Sequence, residues 1–316
     1  MKIRKRFRHC GKYGKRSFFA QVAYYPLPYD RKVKGQTRQR KYQTTIPAKR
    51  MLNIKKAKRY LEALVHSNFG EGDLLLGLSY DNKFLPEDEK AAKKLFANFM
   101  ARVNYRQKKM GKENAKWVSV IERGKNGRIH HHVIIKCDLD RDTLEKLWKY
   151  GRANTKRLQP DSQKGLLPLI DYIAKEFKDD GKPKSIRKWD CSKGNLTKPW
   201  DTVNDDPRMM SNKKFKLMEE LPEDCEMMKK IIELDNPGYE FIDLEKTQRE
   251  ETGEYFFFAR LRLSTKLSTN NAQPVENSNK KKKAKAEDVK EMDKCQKTKR
   301  KKNARKKPPP KNTGPP

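Results

Sequence analysis

Three of the chain's five histidines stand in a row, His130-His131-His132. On an extended strand successive side chains point to opposite faces, so His130 and His132 share one face and His131 takes the other. At about 3.3 Å per residue the two imidazoles sit roughly 6.5–7 Å apart along the strand, close enough to converge on one metal ion. Glu122 lies on the partner strand of the same expected hairpin, where cross-strand neighbours reach each other. Two imidazoles and a carboxylate with vacant positions would supply Lewis-acid chemistry on a phosphate. A histidine run is also compatible with a solvated patch, but this one is embedded in an apolar strand, between Ile129 and Val133-Ile134-Ile135. On these residues alone, metal binding and a structural role both stay open.

A second constellation is Asp171-Tyr172-Ile173-Ala174-Lys175. Tyr172 and Lys175, at i and i+3, share a face of a helix. A phenol has an ordinary pKa near 10 and is a poor nucleophile at neutral pH. A neighbouring ammonium favours the phenolate, and a polarised phosphate lowers the barrier from the other side. Taken singly, a tyrosine on an amphipathic helix is more often a core-edge residue.

The elements that must position these groups follow from periodicity. Ile54, Ala57, Leu61, Leu64 and Val65 are spaced for a helix over Pro47–Asn68, basic on its outer face. Asp73–Tyr80 is too apolar for a half-exposed strand and is expected inside a sheet. Pro86-Glu87-Asp88-Glu89 opens a helix that closes at Gly111. Lys116–Arg123 and Arg128–Lys136 flank Gly124-Lys125-Asn126-Gly127, whose Asn-Gly pair signals a hairpin. Helices are expected over Asp140–Tyr150, Leu166–Phe177 and Glu223–Leu234. Ser17–Tyr25 reads as a strand, Lys182–Pro199 as a basic loop, and Tyr239–Leu244 with Tyr255–Leu263 as a terminal hairpin.

Charge narrows the partner. The 316 residues carry 76 Lys+Arg against 41 Asp+Glu, a net charge of +35. The excess is concentrated at the ends: residues 1–50 hold 16 Lys/Arg and one acid, and residues 264–316 hold 17 Lys/Arg and 5 acids. Such a balance draws a polyanion by counterion release, so nucleic acid is the expected partner. Arg123, Lys125, Arg128, Arg152 and Lys156 are candidate DNA contacts. The five dispersed cysteines contain no C-x-x-C pair and read as reduced thiols. No apolar run approaches the length of a membrane span, and no signal peptide is evident, so a cytoplasmic protein of a bacterial host cell is expected. Residues 264–316 lack the apolar content to offset ordering entropy and are expected to be disordered.

The order of the constellations matters more than each alone. Leu76-Gly77-Leu78-Ser79-Tyr80, then Arg128-Ile129-His130-His131-His132-Val133, then Tyr172-Ile173-Ala174-Lys175 resemble the three motifs of the HUH endonucleases. Over residues 70–180 the chain resembles the rolling-circle replication initiators of plasmids and phages. The stretch from Asn68 to Asp73 looks like the version in Gram-positive bacterial elements and filamentous phages. Two features depart from the family pattern: His131 replaces a bulky aliphatic, and Glu176 stands where some phage initiators carry a second tyrosine.

The resemblance implies an α+β fold with a central antiparallel sheet carrying the histidines, flanked by helices. It implies that Tyr172 is a nucleophile forming a 5′-phosphotyrosine, assisted by Lys175. His130, His132 and Glu122 would hold a divalent ion, Mg2+ or Mn2+ before Zn2+. It further implies single-stranded DNA at an origin hairpin as substrate, with a host polymerase and helicase as partners. No Walker-type phosphate loop is present, so a helicase would have to be borrowed. The implied organisation is a basic arm with strands over 1–50, an endonuclease core over 51–180, an accessory part over 181–263 and a Lys-rich tail over 264–316. A single-tyrosine transposase and a non-catalytic basic nucleic-acid-binding protein are the alternative readings.

Overall fold

The computed structural model describes residues 2–13, 17–27, 47–124, 126–175, 177, 189–207, 209–249 and 253–264. The tail expected to be disordered, from residue 265 onward, lies outside them, as does most of the basic loop before Trp189. The strands are β1 (Ile3–His9), β2 (Phe19–Pro26), β3 (Leu74–Ser79), β4 (Lys116–Arg123), β5 (Ile129–Lys136), β6 (Ala153–Arg157), β7 (Trp189–Cys191), β8 (Trp200–Asn204), β9 (Tyr239–Gln248) and β10 (Tyr255–Leu263). The helices are α1 (Pro47–Asn68), α2 (Glu89–Lys109), α3 (Arg141–Leu147), α4 (Leu167–Ile173), α5 (Asn212–Glu220) and α6 (Glu226–Asp235).

The class is α+β, but the single central sheet is instead two five-stranded antiparallel sheets. One has the order β6-β3-β5-β4-β7 and carries the histidines; the other has the order β8-β1-β2-β10-β9. Residues read as a basic arm thus supply β1 and β2, which pair with strands about two hundred residues away, as Phe7 does with Thr202. Arg6 and Arg8 both bond Asp201 on β8, compensating the basic strand locally.

The histidine sheet is covered on both faces. Leu74, Leu76 and Leu78 of β3 and Ile129, Val133 and Ile135 of β5 pack against Phe96, Phe99 and Val103 of α2 and Leu144 of α3. Opposite, Ile134, Val118 and Val120 pack against Leu61, Leu64 and Val65 of α1 and Ile170 and Ile173 of α4. Asp88 and Asp140 cap α2 and α3 by accepting the Ala91 and Thr143 N–H groups, satisfying donors that a helix start leaves open.

Helix α1 is wedged between the two sheets, so its outer face is not solvated. Arg59 and Glu62 are buried. Arg260 of β10 grips Glu62 with two nitrogens, Nε at 2.8 Å and Nη2 at 2.9 Å, and Gln21 of β2 donates to Glu62 at 3.0 Å. Arg59 donates to Glu245 of β9 at 2.6 Å and lies 3.9 Å from the Phe258 ring centroid. A buried charge is tolerable when paired and hydrogen-bonded in this way.

Candidate active site

Register assigns the faces. His130 lies opposite Glu122 on β4 and Ser79 on β3, while His132 lies opposite Val120 and Gly77. Residues directly opposite share a face, so His130, His132 and Glu122 are on the side covered by α1 and α4. His131 takes the other side and is buried, with its Nε2 2.7 Å from the Tyr80 hydroxyl and its ring stacked on Phe96. Burial drives its pKa down to about 3, so it is neutral. The alternation expected from the sequence therefore holds, and His131 serves the core.

Helix α4 brings the tyrosine. Buried Leu167, Ile170 and Ile173 seat it on the sheet, leaving Tyr172 on its outer side, 51% exposed. The His132 and Tyr172 ring centroids are 5.5 Å apart at 78°, edge to face. The helix ends at Ile173, short of the expected Phe177, but Phe177 still packs in the same core and so preserves the helical spacing of apolar residues. Lys175 consequently sits in the turn after the helix rather than on its face. It reaches Glu122 all the same: Nζ is 2.7 Å from Oε1 and 4.6 Å from the Tyr172 ring centroid.

Glu122 joins the group from below. His132 Nε2 donates to Glu122 Oε2 at 2.5 Å. Burial alone would raise the Glu122 pKa, but the bonds from Lys175 and His132 outweigh it and hold the carboxyl below its ordinary value. His130 is pushed down by burial more than Glu122 raises it, which favours the neutral imidazole that a metal requires. Tyr172, His132, Glu122 and Lys175 thus form one contact chain, with His130 across the strand pair from Glu122.

The donor types suit a divalent ion, since imidazole nitrogens and a carboxylate bind Mn2+, Mg2+ or Zn2+. They are not converged: among the described residues no group of three or more His, Cys, Asp or Glu side chains is gathered to hold an ion. His132 spends its Nε2 proton on Glu122, a bond that metal binding would have to open. His130 directs Nε2 toward Gly124, where an added Cβ would stand 3.2 Å from it.

Several site features carry no sequence signal by themselves. Gly77 and Ser79 leave the sheet open beside the histidines; a Cβ at Gly77 would meet nothing within 4 Å. Lys58 of α1 holds Asp171, the residue before Tyr172, at 2.7 Å. His66 anchors the start of α4, donating from Nδ1 to the Glu62 carbonyl at 2.8 Å and accepting the Leu166 N–H at Nε2, 3.0 Å. Gly165, at φ +59°, is required there because a Cβ would come 2.9 Å from His66 Nε2.

The candidate DNA contacts divide. Lys156 lies opposite Leu75, on the face of His132. Arg152 accepts the Ser79 N–H through its carbonyl, at the end of the His130 row. Arg123 lies opposite Ile129 and so faces α2, where its Nε is 3.6 Å from Glu89. Arg128 is tied to Asn82 and the Tyr80 carbonyl at 2.7 and 2.6 Å. Lys125 lies outside the described residues.

Residues 73–178 match the family model of the replication-associated protein ORF2 group. The match spans about a third of the chain and takes in β3, the histidine strand and α4, the elements that build the site. It supports a role in initiating DNA replication. No curated protein and no solved structure matches the chain. Among the described residues no helix is long and apolar enough to cross a membrane.

Proposed function

We infer that this chain is a rolling-circle replication initiator of the HUH type, which nicks and rejoins single-stranded DNA through Tyr172. The observation that carries the reading is the contact chain from Tyr172 through His132 and Glu122 to Lys175, contributed by a helix and a strand pair far apart in sequence. A half-exposed tyrosine is accessible to a strand laid along the open side of the sheet. Its phenol oxygen attacks phosphorus in line, the bond to the 3′ oxygen breaks, and the protein keeps a 5′-phosphotyrosine while a 3′-hydroxyl is released. The reverse attack by a 3′-hydroxyl reseals the strand without ATP, because the phosphotyrosine conserves the bond energy.

His130, His132 and Glu122 would hold a divalent ion, Mg2+ or Mn2+, which when bound polarises the scissile phosphate. Lys175 holds positive charge beside the phenol and favours its ionised form. Lys58 and His66 fix the helix, so that the nucleophile arrives oriented. Free 3′ ends imply a host polymerase and helicase as partners, and the site implies an origin hairpin as substrate.

A denaturing gel tests the reading. Incubated with Mg2+ or Mn2+ and labelled single-stranded origin DNA, the protein should give an adduct that survives denaturation, and Tyr172→Phe should give none. Equal absence of adduct from both proteins across the flanking hairpins of the gene would sink it.

A further inference from the structure

The side of the histidine sheet away from Tyr172 has its own cleft, of about 620 Å³, between α2 and α3. Arg102 and Arg106 line it from α2, and Lys146 and Lys149 from α3 and the residues after it. No Asp or Glu is among the lining residues. Glu145, within α3, turns away and accepts the Thr155 N–H of β6 at 2.7 Å. The floor is Leu147, and Tyr105 stands at the rim, 58% exposed.

The cleft is braced. Arg102 donates from Nε to the Leu147 carbonyl at 3.0 Å and from Nη1 to the Tyr150 hydroxyl at 3.4 Å, joining the two helices. Its Nη2 has no acceptor among the described residues. Four cations held together without a compensating carboxylate repel one another, and an anion relieves that repulsion. Cations spread along two helices suit a chain of phosphates better than a single compact anion.

We propose that the α2–α3 cleft is a second DNA site, which holds the phosphodiester backbone of a segment other than the one at Tyr172. This rests on the DNA-handling reading above and extends it. The two sites are on opposite faces of one sheet, so a strand attacked at Tyr172 does not fill the cleft. DNA flanking the nicked segment does. Contacts to phosphates position DNA without reading its sequence, so the cleft contributes affinity and orientation while Tyr172 and its neighbours supply chemistry.

The test uses the full chain with Arg106, Lys146 and Lys149 all changed to Gln, sparing the bracing Arg102. Fluorescence anisotropy follows binding to a short blunt duplex and to oligothymidine over a salt series. Loss of three phosphate contacts should make the log–log salt slope shallower by about 3, with affinity falling about tenfold at physiological salt. A control with Arg106→Lys, Lys146→Arg and Lys149→Arg should bind like wild type, excluding a folding defect. A loss confined to the duplex assigns the cleft to paired flanking DNA, and a loss confined to oligothymidine assigns it to a second single strand. Wild-type affinity and slope on both ligands overturn the proposal. Adduct formation is scored separately: a salt-slope change without adduct from any protein keeps the cleft and discards the nuclease.

Discussion

Tyr172 turns its ring against the His132 imidazole edge to face, 5.5 Å between centroids, while Lys175 lies 4.6 Å from the same tyrosine ring. The ammonium also bonds Glu122, so it is held between the carboxylate and the phenol. Lys175→Met should leave the fold and DNA affinity intact and slow adduct formation by about 10²-fold, the usual cost of one electrostatic stabiliser. Lys175→Arg should restore part of the rate. Single-turnover kinetics on a labelled strand measure both.

Gly124 offers a test of His130 that leaves every proposed ligand in place. An alanine there would put Cβ 3.2 Å from His130 Nε2 and 3.3 Å from the Asn126 side chain. The imidazole must then move by a few tenths of an ångström. Gly124→Ala should raise the Mn2+ concentration needed for half-maximal nicking several-fold, with thermal stability close to wild type. An unchanged metal requirement would remove His130 from the metal site.

Strand alternation made the histidine faces readable before any fold was known, because a period of two is a strong local constraint. The partnership of Glu122 with His130 was readable for the same reason, through the Asn-Gly turn. The second sheet was not. Its strand β8, Trp-Asp-Thr-Val-Asn, has no clear alternation and is held by pairing with β1 and by Arg6 and Arg8 on Asp201. Edge strand β6, Ala-Asn-Thr-Lys-Arg, is similarly polar and rests on its ladder with β3. Such pairings are long-range and leave little trace in neighbouring residues. The α2–α3 cleft was equally hidden, since its four cations are unexceptional in so basic a chain.

The buried histidine behind α4 makes stability sensitive to acid. Burial holds His66 down at about 4, against an ordinary 6.5, and both ring nitrogens are already committed. Above pH 6.5 folded and unfolded chains agree that it is neutral, so there is no penalty. As pH falls from 6.5 toward 4 the unfolded chain takes a proton that the folded one refuses, and stability drops by up to about 3 kcal/mol. Urea unfolding across that range should show a smaller fall for His66→Gln than for wild type. Parallel curves would mean that other groups carry the acid sensitivity.

Arg260 ties the second sheet to α1, and α1 in turn supports α4 through Lys58 and His66. Arg260→Met would leave Glu62 buried without its main partner, and burial already pushes that carboxyl upward. Removing one member of a buried pair costs about 3–5 kcal/mol, and urea unfolding should register it. Because α1 bridges the sheets, the loss should also reduce adduct yield at temperatures where the wild type is unaffected. A variant as stable as wild type would show that Asp243, Glu245 and Arg59 do not depend on Arg260 to hold the helix.

Removing residues 264–316 separates attraction from chemistry. That segment carries 17 Lys/Arg and 5 acids, and its polar composition supplies no packed core. β10 ends at Leu263, so the cut leaves both sheets whole. DNA affinity should fall and its salt dependence should flatten, because fewer counterions are released. Adduct formation at low salt and saturating DNA should match the full chain, since Tyr172, His132, Glu122 and Lys175 all lie upstream. Loss of nicking under those conditions would mean that the basic segment takes part in the site itself rather than only drawing DNA toward it.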